Sequence, residues 1–411
     1  MTSQNTSLAK ENIKIVLLEG IHPSAEEVFR NDGYSNLFTA SKSLPQDELR
    51  EVLSDANFLG IRSRTQVTEK LLSFAPKLSA IGCFCIGTNQ VDLSATTQKG
   101  IPVFNAPFAN TRSVAELVLA EIILLLRGIP AKNAAAHRGE WLKSAANSFE
   151  TRGKILGIVG YGHIGTQIGI LAENLGMRVQ FFDIDKQLSL GNARPADSFH
   201  KLLATSDVVT FHVPETDQTQ NMMDKEAFDH IKEGAILVNA SRGTVVDIDE
   251  LSQALDTGKV YGAAIDVFPT EPKSNQEEFV SKLRQFDNTI LTPHIGGSTK
   301  EAQVNIGIEV SEKLVKYSNN GSTLSSVNFP EVGLPELINK HRICHIHHNE
   351  PGILAKINDV FSETGVNIAS QYLQTNADVG YVVTDIDQTS SKDAFEGLKL
   401  IKGTIKSRIL Y

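Results

Sequence analysis

Ile158-Val159-Gly160-Tyr161-Gly162-His163-Ile164-Gly165 reads as the end of an apolar strand, a glycine turn and the start of an amphipathic helix. In this G-x-G-x-x-G run Gly160 permits the tight turn, Gly162 lets the backbone approach a pyrophosphate, and Gly165 lets the helix pack close to its strand. The helix N-terminus offers unpaired N–H groups to phosphate oxygens. The next apolar strand, 179–182, ends at Asp183, 18 residues beyond Gly165, near the spacing of an acid that accepts from both ribose hydroxyls. Glycines alone would also suit a turn that serves only packing. Strand, helix and acid in register point instead to a dinucleotide.

Outward from this run, strands are expected at 155–159, 179–182, 207–212, 235–239, 260–265 and 289–292, alternating with helical patterns. Six strands in this rhythm make a full dinucleotide-binding fold. Residues 13–109 alternate in the same way, with strands at 13–18, 57–61, 78–82 and 101–104, but carry no phosphate fingerprint. A helix over 111–127 follows them. A long helix over 299–317 stops in Asn319-Asn320-Gly321-Ser322, and a polar connection containing Pro330 and Pro335 leads on. The tail reads strand 342–348, helix 352–364, strands 367–374 and 380–385, helix 392–400, strand 404–410. That βαββαβ order is a ferredoxin-like sandwich without a catalytic cluster, so its role is regulation or assembly.

A chain of 411 residues holds two or three domains, and 41% hydrophobic with 21% charged residues is ordinary for a soluble globular protein. A net charge of −9 argues against nucleic-acid binding. An anionic ligand must then be drawn by local positive charge. Cys83, Cys85 and Cys344 make no disulfide framework; Cys83 and Cys85 alternate along an apolar strand and read as small core residues. This suits a reducing cytoplasm. The N-terminus is polar and lacks an apolar signal segment. The most apolar stretch, 114–126, is short and carries Glu116 and Glu121, so it reads as a buried helix and no membrane span is expected.

Three polar residues fall at successive strand ends of the fingerprint unit: Arg242, Glu271 and His294. Open α/β sheets place their ligand crevice there. Oxidising a secondary alcohol requires loss of the hydroxyl proton as hydride leaves carbon, and a histidine titrating near neutrality suits that step. A carboxylate behind the imidazole orients it and favours its protonated form. An arginine holds a carboxylate through two parallel hydrogen bonds. Singly each could be a surface or capping residue; together they read as a hydride-transfer site. Arg62-Ser63-Arg64 follows an earlier strand and suits a second anion such as phosphate, or a solvated basic turn. His341, His345, His347 and His348 cluster, but alternation splits them between strand faces and no ligand geometry completes, so no metal is expected.

The runs Ile81-Gly82-Cys83-Phe84-Cys85-Ile86-Gly87-Thr88-Asn89-Gln90-Val91-Asp92 and Asn105-Ala106-Pro107-Phe108-Ala109-Asn110-Thr111-Arg112-Ser113-Val114-Ala115-Glu116 resemble the D-2-hydroxyacid dehydrogenase family. So do Tyr161-Gly162-His163-Ile164-Gly165, Asn239-Ala240-Ser241-Arg242-Gly243-Thr244-Val245-Val246-Asp247 and Thr292-Pro293-His294-Ile295-Gly296-Gly297-Ser298. The resemblance covers nearly the whole chain and extends to bacterial members with one C-terminal ACT domain. It implies an α/β fold: a Rossmann-type NAD domain, 110–296, inserted in a flavodoxin-like substrate domain, 1–109 with 297–336, and a ferredoxin-like ACT domain, 339–411. It implies NAD-dependent oxidation of D-3-phosphoglycerate to 3-phosphohydroxypyruvate, the first step of L-serine biosynthesis, in a cytoplasmic homotetramer inhibited by L-serine.

The implied roles map residue by residue. Arg242 would bind the substrate carboxylate, and Glu271 with His294 would be the acid–base pair. Arg62, Ser63 and Arg64 would lie near the phosphate with Asn110, and Gly87 near the carboxylate. Gly160, Tyr161, Gly162, His163, Ile164 and Gly165 would line the pyrophosphate, Asp183 the adenosine ribose, and Asp266 the nicotinamide carboxamide. His347, Asn349 and Asn367 would hold L-serine, with Glu350 standing where bacterial homologues carry arginine. Trp141 resembles a residue that meets a neighbouring subunit; the sequence itself reads it as a partly buried anchor. The alternatives are another D-2-hydroxyacid dehydrogenase, including reduction of 2-oxoglutarate, and a non-enzymatic NAD sensor. A sensor would lack the acid–base pair, which this chain has.

Overall fold

The computed structural model describes residues 8–272, 274, 276–337, 340–387 and 391–410. Its contacts fall into two compact units, Met1–Ala109 with Gln303–Tyr411, and Asn110–Ala302.

The first unit holds a parallel sheet of β1 (Ile15–Leu17), β2 (Leu37–Thr39), β3 (Phe58–Ile61), β4 (Ala80–Cys83) and β5 (Val103–Asn105), in the order β2-β1-β3-β4-β5. This is the flavodoxin-like order. Sequence pattern located four of the five strands. The fifth, β2, is a three-residue edge strand, and its half-exposed residues give no apolar run to read. After the inserted unit, the helix Lys300–Asn320 returns to this sheet and buries Ile306, Val310, Leu314 and Tyr317 against Ile15, Leu17, Phe58 and Ala80. Gly82 permits the approach, since a Cβ there would stand 2.6 Å from a Val310 methyl. Cys83 is buried as expected. Cys85 differs: it lies beyond the end of β4, half-buried, with its thiol directed at the Gly87 carbonyl 3.2 Å away.

The inserted unit is a parallel sheet of β6 (Ile155–Val159), β7 (Arg178–Phe182), β8 (Arg194–Pro195), β9 (Val208–Phe211), β10 (Ala235–Asn239), β11 (Val260–Ile265) and β12 (Thr289–Leu291). The order is β12-β11-β10-β9-β6-β7-β8, so the winding reverses at β6, whose neighbours are β7 and β9. Ligand crevices of doubly wound sheets form at such a reversal, beyond the carboxyl ends of the strands, and β6 ends at the glycine turn. The unexpected seventh strand, β8, has two exposed residues, one of them Pro195, too short for any periodicity. The helix Thr111–Leu126 buries Val114, Val118, Ile122 and Leu125 in the apolar layer under β6 and leaves Ile123 and Leu124 exposed. Trp141 corrects the sequence reading: it is 85% exposed rather than partly buried. Among the described residues no helix is long and apolar enough to cross a membrane.

The tail forms β13 (His341–His348), β14 (Ile368–Thr375), β15 (Val379–Ile386) and β16 (Thr404–Leu410), antiparallel in the order β14-β15-β13-β16, with helices Ile353–Glu363 and Ser391–Lys399. Its two faces are buried separately. Ile343, Val382 and Ile409 pack under the helices; Cys344, Tyr381, Val383 and Leu410 pack on Phe329, Val332 and Leu334 of the preceding segment. Arg342 is wholly buried and pairs in two parallel bonds with Asp385 (2.6 and 2.8 Å). Its remaining terminal nitrogen donates to the carbonyls of Asn320 and Pro335.

Candidate active site

The glycine turn is shaped by backbone packing. Gly160 has φ +88, and a Cβ there would sit 2.3 Å from the His212 carbonyl oxygen at the end of β9. A Cβ at Gly165 would sit 2.2 Å from the Gly160 carbonyl oxygen. Both positions therefore exclude a side chain. Gly162 is the opposite case: nothing lies within 4 Å of a built Cβ, and it caps the helix His163–Asn174 without a side chain of its own. Open space before uncapped N–H groups suits a pyrophosphate, so these residues fit a dinucleotide. Tyr161 stacks its ring on Phe181 at 4.0 Å and is 1% exposed, which leaves its backbone alone to the turn. His163 is exposed and Ile164 half-buried. Asp183 accepts from Tyr161 N–H (2.7 Å) and Asp185 N–H (3.0 Å), one bond to each oxygen. Each oxygen keeps a further lone pair, so the carboxylate is fixed at the end of β7 and still able to accept.

Arg242, Glu271 and His294 come together at the ends of β10, β11 and β12. The His294 Nδ1 lies 3.0 and 3.1 Å from the two Glu271 oxygens. Glu271 also accepts from the Phe268 N–H. Burial works to raise the Glu271 carboxyl, but the hydrogen bond and charge of His294 outweigh it and hold it below its ordinary value. In turn the Glu271 bond raises the His294 imidazole against burial, with Asp266 adding to the rise and Arg242 opposing it. The Arg242 guanidinium donates to the Ser241 carbonyl at 2.7 Å. Gly243 lets this loop abut the next, because a Cβ there would stand 2.1 Å from the Phe268 backbone.

His294 has φ +54, a left-handed conformation uncommon outside glycine. Asp266 holds it there. This acid is 1% exposed and accepts from the Thr292 hydroxyl (2.6 Å), Ile295 N–H (2.8 Å) and Gly296 N–H (2.9 Å), while its own carbonyl accepts from His294 N–H (2.8 Å). The sequence carried no sign of this loop-anchoring part. Asn110 is buried against Gly297, and its Oδ1 meets no partner among the described residues.

In the first unit, Arg62 is half-buried and Ser63 and Arg64 are exposed on the loop after β3. Two residues missed in the sequence build this loop. Glu19, buried and at φ +65, accepts from Arg64 N–H (3.0 Å) and Thr65 N–H (2.7 Å). The Gln90 amide donates to the carbonyls of Arg62 (2.6 Å) and Gly87 (3.2 Å), tying the loop after β3 to the loop after β4. Nothing lies within 4 Å of a Cβ built at Gly87.

The tail residues do not meet in one chain. β13 and β14 both run antiparallel to β15, so they are parallel to each other. His341 and Ile368 both pair with Ile386, whereas His347 and Thr375 both pair with Gly380. Asn367 therefore lies at the His341 end of the sheet, ~20 Å along the strand direction from His347 at the usual rise per residue. His347 is buried with its Nδ1 2.8 Å from the His348 carbonyl oxygen, Asn349 donates to the Asn376 carbonyl, and Asn367 lies 3.5 Å from Asp387.

The model of the "D-isomer specific 2-hydroxyacid dehydrogenase, NAD binding domain" matches residues 119–296. That of the "AHAS small subunit-like ACT domain" matches residues 343–406. Fold, glycine turn and these matches define an NAD-dependent 2-hydroxyacid dehydrogenase with an ACT tail. The D-3-phosphoglycerate dehydrogenase of Haemophilus influenzae is 58% identical over 409 residues, covering 100% of both chains. That of Escherichia coli K12 is 58% identical over 407 residues, 98% of this chain and 99% of its own. Among solved structures, D-lactate dehydrogenase from Aquifex aeolicus, complexed with NAD and lactic acid, is 27% identical with a TM-score of 0.65, covering 74% of this chain and 95% of that one. The chain belongs to the D-3-phosphoglycerate dehydrogenases.

Proposed function

We propose that the chain oxidises D-3-phosphoglycerate to 3-phosphohydroxypyruvate with NAD, the first step of L-serine biosynthesis, and that L-serine inhibits it through the tail. The observation that carries the catalytic reading is the His294–Glu271 pair at 3.0 Å beyond the carboxyl ends of a Rossmann sheet. NAD when bound supplies the hydride acceptor. His294 takes the C2 hydroxyl proton on its Nε2, because Nδ1 faces Glu271. Glu271 stabilises the imidazolium that results. Arg242 binds the carboxylate, with Gly87 N–H near the same group. Arg62, Ser63 and Arg64 take the phosphate, with Asn110 close by. Asp183 and Asp185 place negative charge where a 2′-phosphate would stand, which favours NAD over NADP. The working division is 1–109 with 297–336 for substrate, 110–296 for NAD and 339–411 for the effector.

The assignment of His347, Asn349 and Asn367 to one serine requires a second copy. β14 is an edge strand, and a copy laid antiparallel along it brings the partner's Asn367 to the end of the joined sheet that carries His347 and Asn349. This supports a homo-oligomer, a homotetramer in the full reading.

A substrate panel with NAD tests the proposal. Turnover of D-3-phosphoglycerate should exceed that of unphosphorylated 2-hydroxy acids and the reverse reduction of 2-oxoglutarate, and added L-serine should lower it. Arg62→Ala should raise KM for the phosphorylated substrate roughly 10- to 100-fold, the value of one charged hydrogen bond. Equal losses on unphosphorylated substrates would remove the loop from phosphate binding.

A further inference from the structure

We propose that His200, Glu226 and His230 form a site for one divalent transition-metal ion of the zinc class on the inserted unit. Glu226 and His230 stand one turn apart on the helix Lys225–His230 and project from the same side. His200 comes from the first turn of the helix Phe199–Thr205. Leu202, Leu203, Ala227 and Phe228 anchor both helices in one apolar layer, so the backbones that carry the three side chains are fixed by the core. The His200 and His230 rings lie face to face, 4.1 Å between centroids and 7° between planes. The His230 Nδ1 is 2.8 Å from the Glu226 carbonyl oxygen. Donating there leaves the lone pair on Nε2, the arrangement by which a backbone carbonyl orients a ligating histidine.

One ligand atom from each residue lies within 4.8 Å of the other two. Zinc bonds of about 2.0–2.2 Å place tetrahedral ligand atoms roughly 3.4 Å apart. Binding thus requires a contraction of up to about 1.4 Å and a tilt of the rings out of their stack, which the partly exposed side chains can make. Two imidazoles and a carboxylate suit Zn²⁺, Co²⁺, Ni²⁺ or Cu²⁺, whereas Ca²⁺ and Mg²⁺ take oxygen ligands. Water fills the fourth position, and the ion cross-links the two helices. None of these ligands belongs to the histidine-rich run of β13.

The test uses the full chain without a histidine tag, stripped by chelator, and titrated calorimetrically with Zn²⁺ alone. One ion per chain is expected, with a rise in Tm and, for Co²⁺, a visible absorption band. The doubly substituted His200→Gln, His230→Gln chain should bind at least about tenfold more weakly, lose the Tm rise and keep its turnover of D-3-phosphoglycerate. Glu226→Gln should weaken binding to a lesser degree. A doubly substituted chain that binds Zn²⁺ as tightly as the unaltered chain, or an unaltered chain that binds none at stoichiometric Zn²⁺, would overturn the site. Bound ion without a change in Tm would overturn the cross-link.

Discussion

His294→Ala is expected to lower kcat by roughly 10²–10⁴ while NAD binding stays near that of the unaltered chain. The size follows from the proposed task, since without the imidazole the hydroxyl proton must leave to water. NAD binding should survive because the glycine turn and Asp183 stand at the ends of β6 and β7, whereas His294 follows β12 at the far edge of the same sheet. A readout specific to the pair is the pH profile. His294 is raised above the ordinary histidine value chiefly by Glu271, and alcohol oxidation needs the neutral ring. The rate should therefore climb with pH through that raised value. In Glu271→Gln the charge that favours imidazolium is gone, so the acid limb should move to lower pH even as kcat falls. An acid limb that stays in place would mean that His294 is not the titrating base, and an unchanged kcat in His294→Ala would remove it from the chemistry altogether.

The parts legible in the sequence are those with a local signature. Gly160, Gly162 and Gly165 announce a glycine turn, and at Gly160 and Gly165 the structure gives the reason, since a Cβ at either would collide with a backbone carbonyl oxygen. Arg242, Glu271 and His294 are readable because each follows the end of a strand with an apolar run, and a parallel sheet gathers those ends on one side. What stayed hidden acts through backbone. Glu19 and Gln90 touch the Arg62 loop from 45 and 28 residues away by hydrogen bonds to main-chain atoms, and no periodicity encodes those. Asp266, which the resemblance places at the nicotinamide carboxamide, also anchors the His294 loop through its carboxylate, and that second part has no sequence signature. The short strands β2 and β8 went unread for lack of length. Trp141 is 85% exposed, and nothing in its local sequence distinguishes an exposed indole from a half-buried one.

Arg342→Met is expected to destabilise the tail by about 3–5 kcal/mol, because it leaves the Asp385 carboxylate buried without its counter-charge. Arg342 is the largest wholly buried side chain in the described structure. It satisfies both Asp385 oxygens and, through its other terminal nitrogen, the Asn320 and Pro335 carbonyls. Among the described residues the Ser370 hydroxyl is the other side-chain donor to Asp385, and one neutral hydroxyl cannot replace a guanidinium. Arg342→Lys should fall between, since it keeps the charge and loses the parallel pair. Adding Asp385→Leu to Arg342→Met should recover much of the loss, as buried pairs replaced by apolar residues of similar size often do. If instead the double substitution is as unstable as the single, the Asn320 and Pro335 carbonyls are the larger debt, and Arg342 serves chiefly to hold the end of the helix Lys300–Asn320. Thermal and denaturant unfolding of the full chain separate these outcomes. A loss below about 1 kcal/mol in Arg342→Met would show that water reaches Asp385 and that the pair is not buried in solution.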